Sequence, residues 1–435
     1  MDNPRIYIAI ATFHPLIGGA EKQALMQACC LRARGIEATV LTFHHDSSWP
    51  KYEEIEGVPV IRVAGRVLHK RRQLPRPLQK LLYMVAMIIM AWSVWRHRRH
   101  FDILHVYQLN LIALPTSFAC WLAHKAMIVA IRCTGSETPL RTRQSLLAGP
   151  LDPHLPCLRI PGRFKQGNDL EDLERLGKPI VLLTHALLLR IHAIVVVISS
   201  RMIGYPAAHN FPLPTMQLIP NGIDITQYHP QADTSFNEEK AYTVVCVARL
   251  SYEKGTDILL QAWNLVHREA PQARLLIVGD GILRTQLQRM TVALGISQSV
   301  IFAGEQRDIP AQLYRGSFAV LPSRWEGMPN AVLEAMACGI PCVATRVSGS
   351  EDIIQHETNG LLVDVYDYQA MAQAILTLLR DPERTRMYGQ AARERIEQAY
   401  ALDHITDQYV ALYQHIFQSR VLNIQRKKVA QQCVE

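Results

Sequence analysis

Phe318 to Val343 reads FAVLPSRWEGMPNAVLEAMACGIPCV: an apolar strand, a polar loop, a helix and a second apolar strand. Pro322, Gly327 and Pro329 break the loop, so Glu326 precedes a helix that starts near Asn330 and carries Glu334. The unpaired N–H groups and positive dipole end of that helix start form an anion site, and a carboxylate one turn in accepts two hydroxyl donors. A phosphate with sugar hydroxyls beside it satisfies both. Taken alone, the same residues also describe a capped amphipathic helix with a solvated Glu334. The flanking chain decides between the two.

Outward from this unit, the chain has 435 residues, 49% of them apolar and 19% charged, which predicts two or three ordinary domains with sizeable cores. Nine cysteines, Cys29 and Cys30 adjacent among them, lie mostly in apolar runs and not at CxxC or Cys/His spacings. That pattern favours a reducing cytosol over a structural zinc site. The N-terminal MDNPRIYIAIATF has an early acid, a proline and strand-like alternation, with no basic n-region or cleavage site, so a cytoplasmic protein is expected.

Net charge is +8, unevenly spread. Gly57 to Phe101 holds no acid but carries Arg62, Arg66, Lys70, Arg71, Arg72, Arg76, Lys80, Arg96, Arg98 and Arg99 around the apolar run Leu81 to Trp95. As a helix that run is about 22 Å long, short of the roughly 30 Å hydrocarbon core, so it does not span a membrane. Leu81, Leu82, Val85, Ile88, Ile89, Trp92 and Trp95 share one face, yet Tyr83, Met84, Met87, Met90 and Val94 make the other faces apolar too. Two readings remain: a helix sandwiched between a sheet and a neighbour, or an interfacial helix within 70–100 whose cations face an anionic membrane. The charge pattern leans to the membrane. No aromatic-interleaved basic sheet accompanies it, so nucleic acid is not an expected partner.

In chain order the first half alternates strands and helices. Ile6 to Ala11 is a strand, Glu21 to Arg34 a helix closed by Gly35, and Ala38 to Thr42 the next strand. Further strands are expected at Val58 to Val63, Ile103 to Val106, Met127 to Arg132 and Ala193 to Ile198. This is a doubly wound parallel sheet, whose ligands gather at strand carboxyl ends. Gly18 and Gly19, and the turn Thr134, Gly135, Ser136 and Glu137, fall there. Four prolines between Tyr205 and Pro220 lead into Asn221-Gly222, so a domain boundary is expected near 215.

A second strand-helix series begins with Tyr242 to Val247. Arg249 and Lys254 follow that strand, and a planar fork beside a point charge before a helix start suits a diphosphate. Arg274 to Val278 ends in Gly279-Asp280-Gly281 and Val300 to Ala303 in Gly304, where glycines let a ligand approach the backbone. The last helix, 403–420, is expected to cross back to the first domain.

The order VARLSYEKG, IVGDG, FAG, LPSRWEGMPNAVLEAMACGIPCVAT, SGSEDII and NGLLV resembles the retaining glycosyltransferases of family 4, which have the GT-B fold. The resemblance covers most of the chain and is strongest from Asn221 to Val363. It implies two facing Rossmann-like domains, 1–215 for the acceptor and 216–402 for a nucleotide-sugar donor. Glu326 and Glu334, with seven residues between them, match the family's two glutamates, the first at the sugar ring and the second on the ribose hydroxyls. Arg249 and Lys254 match the diphosphate clamp, and Gly18 and Gly19 the N-terminal loop that approaches the diphosphate. Met328, Pro329, Asn330, Ala331 and Val332 match the helix start, and Gly279, Gly281 and Gly304 the floor near the base. Thr134 to Glu137 stand where many members have His-Gly.

The resemblance thus implies a hexosyltransferase, retaining and independent of metal or other cofactor, moving a sugar from a nucleotide sugar to a glycan or lipid-linked acceptor in cell-envelope synthesis. It is expected on the inner membrane face. No DxD-like acidic pair stands at a strand end and no covalent nucleophile is evident, so a front-face path is expected. A nucleotide-sugar epimerase of the same fold and a silent sugar-binding protein are the alternatives.

Overall fold

The computed structural model describes residues 3–16, 18–71, 74–133, 177–204, 215–231 and 238–432. Its first sheet comprises β1 (Ile6–Ala9), β2 (Ala38–Phe43), β3 (Tyr52–Ile55), β4 (Val58–Val63), β5 (Ile103–Val106), β6 (Ala126–Ile131), β7 (Ile194–Val197) and β8 (Met216–Leu218), in the order 3-4-2-1-5-6-7-8. All neighbours are parallel except the hairpin of β3 and β4. β1 lies between β2 and β5, with Ile6 opposite Ala38 on one side and Ile103 on the other. Helices cover both faces, which is why β1, β5 and β6 are buried throughout, and every residue in them but His105 of β5 is apolar or aromatic.

β3 escapes prediction because its residues, YEEI, are half charged and lie at the sheet edge. Its turn is legible in retrospect: Glu56 and Gly57 both have positive φ, the backbone of a two-residue hairpin. β8 pairs with β7, so the first sheet continues to Leu218, past the boundary expected at 215.

The second sheet holds β9 (Thr243–Val247), β10 (Arg274–Val278), β11 (Val300–Gly304), β12 (Phe318–Leu321), β13 (Cys342–Thr345) and β14 (Gly360–Val363), in the order 11-10-9-12-13-14, all parallel. Strand order reverses between β9 and β12, as it does between β1 and β5 in the first sheet. Such reversals open the crevices where ligands bind. The β9 and β12 loops carry Arg249, Lys254 and Glu326, and the β1 loop carries Gly18 and Gly19. The result is the GT-B fold, two doubly wound domains facing each other across a cleft.

Two strands of chain cross between the domains side by side: Ile223 N–H donates to Tyr400 O at 2.9 Å and Leu402 N–H to Ile223 O at 2.9 Å. The helix Leu402–Gln432 then buries Ile405, Tyr409, Leu412, Tyr413 and Ile416 in the first domain's core.

The basic apolar segment forms the helix Arg76–Arg96. Ala86, Met87, Met90, Ser93 and Val94 face the protein, while Leu81, Met84, Ile88 and Trp92 stand exposed on the opposite side. It is therefore covered on one side only. Among the described residues no helix is long and apolar enough to cross a membrane. One cation read as part of the basic face is not available to lipid: Arg62 is buried, donating to Pro50 O at 2.9 Å, His14 O at 2.7 Å and the Glu53 carboxylate.

Candidate active site

Glu326 lies just beyond β12 where the two domains touch. Its Oε1 accepts from Lys254 Nζ at 2.5 Å and from Ser323 Oγ at 2.7 Å, leaving Oε2 without a hydrogen-bond partner among the described residues. Arg324 fixes the two loops to each other: its guanidinium grips Asp257 at 2.9 and 2.6 Å and donates to Tyr252 O at 2.6 Å, stacked 4.0 Å from the Tyr252 ring. Charge-assisted forks of this kind fix geometry as well as energy. Gly327, next in the chain, is pressed on the end of β6, where a Cβ would stand 1.7 Å from Arg132 O. Only glycine permits that approach.

The helix Asn330–Ala337 starts at Pro329, with no side-chain cap. Of the three amides expected to be free, Val332 is not: its N–H turns back to Pro329 O at 3.1 Å. Among the described residues the Asn330 and Ala331 amides find no acceptor. Facing them is the start of a second uncapped helix, Gly19–Ala33, whose N-cap is Gly18. Asn330 joins the two, donating to Gly19 O at 3.3 Å and accepting from Gln23 at 3.2 Å and Asn221 at 3.0 Å. Two positive dipole ends thus converge at the cleft, an arrangement that attracts an anion.

Glu334 is buried one turn into its helix. Its Oε1 accepts from Lys22 Nζ at 2.5 Å and from Tyr228 OH at 3.2 Å, and Lys22 also donates to the Tyr228 hydroxyl at 2.9 Å. Burial opposes the Lys22 charge, but Glu334 and Tyr228 outweigh it and raise its pKa above the ordinary lysine value. Burial, reinforced by Glu334, pushes Tyr228 up to about 12. Oε2 of Glu334 keeps no partner among the described residues. Sequence reasoning missed Lys22 and Tyr228. Lys22 sits four residues after Gly18, in the first turn of the helix Gly19–Ala33.

The remaining candidates are placed less centrally. Arg249 is mostly exposed, its guanidinium 3.1 Å from Glu253. Gly279 and Gly281 do not leave an open backbone on their Cβ side: the Ala248 and Leu250 carbonyls fill it, at 2.1 and 2.5 Å from where a Cβ would stand. Their glycines let the β9 and β10 loops pack together. Gly304 accepts from Gly279 N–H at 2.8 Å, and Asp280 pairs with Arg284 at 2.6 Å. Met328 is buried, with its sulfur 3.2 Å from Asn221 N. Thr134, Gly135, Ser136 and Glu137 lie outside the described residues, beginning two residues after Arg132. Among the described residues no group of three His, Cys, Asp or Glu side chains is arranged to hold a metal.

The closed cleft is pinned elsewhere too. Arg132 donates to Asn221 at 2.7 Å and lies 3.8 Å over the Tyr107 ring. Ser199 and Ser348 hydroxyls meet at 2.5 Å, Ser200 N–H donates to Asp352 at 2.9 Å, and Arg201 pairs with Glu351 at 2.5 Å. The loop 348–351 thus serves domain contact.

The fold is a two-domain architecture, and residues 18–222 and 230–395 match the family models described as Glycosyl transferase 4-like domain and Glycosyl transferases group 1. The chain accordingly groups with the GT-B glycosyltransferases. Among curated proteins it is similar to N-acetyl-alpha-D-glucosaminyl L-malate synthase of Bacillus anthracis, 30% identical over 46% of this chain and 53% of that one. A second relative is the GDP-mannose-dependent alpha-(1-6)-phosphatidylinositol monomannoside mannosyltransferase of Mycolicibacterium smegmatis, 32% identical over 44% and 53%. The chain spans about half the length of these relatives. Among solved structures, sucrose-phosphate synthase from Thermosynechococcus elongatus superposes with TM-score 0.72 at 21% identity, covering 96% of this chain and 100% of that one. Anabaena HepE in complex with UDP-glucose gives 0.65 at 19%, covering 94% and 98%. At these identities the likeness carries the fold.

Proposed function

We propose that the protein transfers a hexose from a nucleotide sugar to a glycan or lipid-linked acceptor, with retention and without a metal, as a family 4 enzyme of cell-envelope polysaccharide synthesis. What carries the reading is the convergence at one cleft of two uncapped helix starts, the Lys254–Glu326 pair and the buried Glu334. The nucleotide's diphosphate sits between the amides of Gly19, Ala20, Asn330 and Ala331, with Lys254 and Arg249 taking up charge as the sugar bond breaks. The free Oε2 of Glu334 accepts the ribose hydroxyls, and that of Glu326 faces the sugar as positive charge develops on its ring. Preorganised donors of this kind are worth about 10² in rate each. The relatives that act on malate and on phosphatidylinositol mannoside, by their names, support sugar transfer to small or lipid acceptors. The basic composition of the segment 70–100 supports a place on the cytoplasmic membrane face.

A thermal-shift screen of nucleotide sugars tests the donor site, since a ligand at a hundredfold excess over Kd stabilises by about 2.7 kcal/mol. Transfer or donor hydrolysis that falls about 10²-fold in Glu326→Ala and in Arg249→Ala is expected. Isomerisation of the donor alone would instead mark an epimerase, and donor binding with no turnover a silent binder.

A further inference from the structure

Three helices on one face of the first sheet, Arg76–Arg96, Ala113–Leu122 and Lys178–Arg190, enclose an apolar groove of about 1070 Å³. Ala119 and Leu187 floor it, and Met84, Ile88, Trp92 and Leu183 wall it, the four wall residues more than half exposed to solvent. Sequence reading singled out only the first helix. None of its lining residues belongs to the candidate active site, and no contact within the described residues fills it.

We propose that this groove binds the hydrocarbon chain of an amphiphilic, phosphate-bearing acceptor. Its size suits a single ligand, since small-molecule sites run to about 1,000 Å³. Two methionines among its lining residues give a soft wall that fits a flexible chain. Charge complementarity selects an anionic amphiphile: none of the three helices contains an acid, and Lys178 opens the third at its start. Direction follows from topology. Each helix ends just before a strand of the parallel sheet begins, β5, β6 or β7, so all three start at the carboxyl edge, where Gly18 and Glu326 lie. Tyr83, Leu111 and Ile180 therefore mark the cleft end of the groove and Trp95 and Leu122 the far end. A chain lying along it presents its phosphate and reducing sugar to the cleft. The inference rests on the proposed transferase only for what that head group does there.

The test uses the full chain and octyl, decyl and dodecyl phosphate below their micelle concentrations, titrated calorimetrically. Each methylene buried is worth roughly 0.8 kcal/mol, about fourfold in affinity, so each two-carbon step should tighten binding about fifteenfold until the groove is full. Ala91→Trp, which fills the groove, and Leu183→Glu, at an exposed lining position where folding is not at risk, should each weaken dodecyl phosphate by about fifteenfold or more. Stabilisation by the nucleotide sugar should be unchanged in both. Affinity independent of chain length, or equal in the variants, overturns the proposal. So does binding to phosphatidylglycerol vesicles without binding of the monomeric alkyl phosphates, which marks a bilayer-docking face, or a dimer in sedimentation that Leu183→Glu dissolves, which marks a second copy. Loss of all nucleotide-sugar binding with the chain-length series intact would defeat the transferase reading and leave the groove.

Discussion

Glu326 and Glu334 look alike in sequence and differ in surroundings. Glu326 shares one oxygen with Lys254 and Ser323 at the domain contact, whereas Glu334 is anchored one turn deeper by Lys22 and Tyr228. Their losses should therefore separate. Glu334→Ala is expected to raise the donor KM about 10-fold or more with little change in kcat, because hydroxyl contacts hold ground and transition states alike. Glu326→Ala is expected to lower kcat about 10²-fold with KM nearly constant. Steady-state kinetics on both variants checks this, and equal effects on both parameters would refute the division of roles. The spacing of the two glutamates was legible because the loop and helix that hold them are contiguous. Lys22 was not, because its partner lies in the other domain and no local pattern announces a contact across a cleft.

At the scale of elements, two buried polar clusters hold the loops and the returning helix in place. Arg324 and Asp257 form a bidentate pair beneath the Lys254 loop. Removing one partner of a buried pair leaves an uncompensated charge, so Arg324→Met is expected to cost about 3–5 kcal/mol in urea unfolding of the second domain. In the first domain, His105 Nδ1 meets Tyr413 OH at 2.8 Å and ties β5 to the helix Leu402–Gln432. Burial, with Arg132 nearby, pushes the His105 imidazole down to about 3 from its ordinary 6.5. The folded protein thus refuses a proton that the unfolded chain accepts. This contribution is complete above pH 6.5 and is lost as pH falls toward 3. Between pH 7 and pH 5 the wild type should lose about 2 kcal/mol more than His105→Gln, measured by urea denaturation at both values. Parallel strands and their helices were readable because two-sided burial makes continuous apolar runs. The edge strand β3 was not, since a strand with one exposed edge and a charged face carries no such signal.

For the whole molecule, function depends on the two domains meeting in one geometry, and Gly327 is where that geometry is tightest. A methyl group there would stand 1.7 Å from Arg132 O, 2.8 Å from Arg132 C and 3.2 Å from Ile198 Cδ1, all in the other domain. Neither backbone can yield, because Arg132 is held by Asn221 and Tyr107, and Gly349, at φ 76°, packs beneath Met328. Gly327→Ala should therefore leave both domains folded and hold them apart. The helix start at Asn330 and the Lys254 loop belong to the second domain alone, so donor binding is expected to fall only a few-fold, as lost contacts from Lys22 and Gly19 allow. Transfer needs the acceptor side in place, and a displacement of about 1 Å costs about 10² in rate. Single-turnover kinetics should show that loss, and small-angle scattering with donor present should give a larger radius of gyration than the wild type. Wild-type turnover in Gly327→Ala would mean that the contact between Gly327 and Arg132 is not the geometry in which transfer occurs.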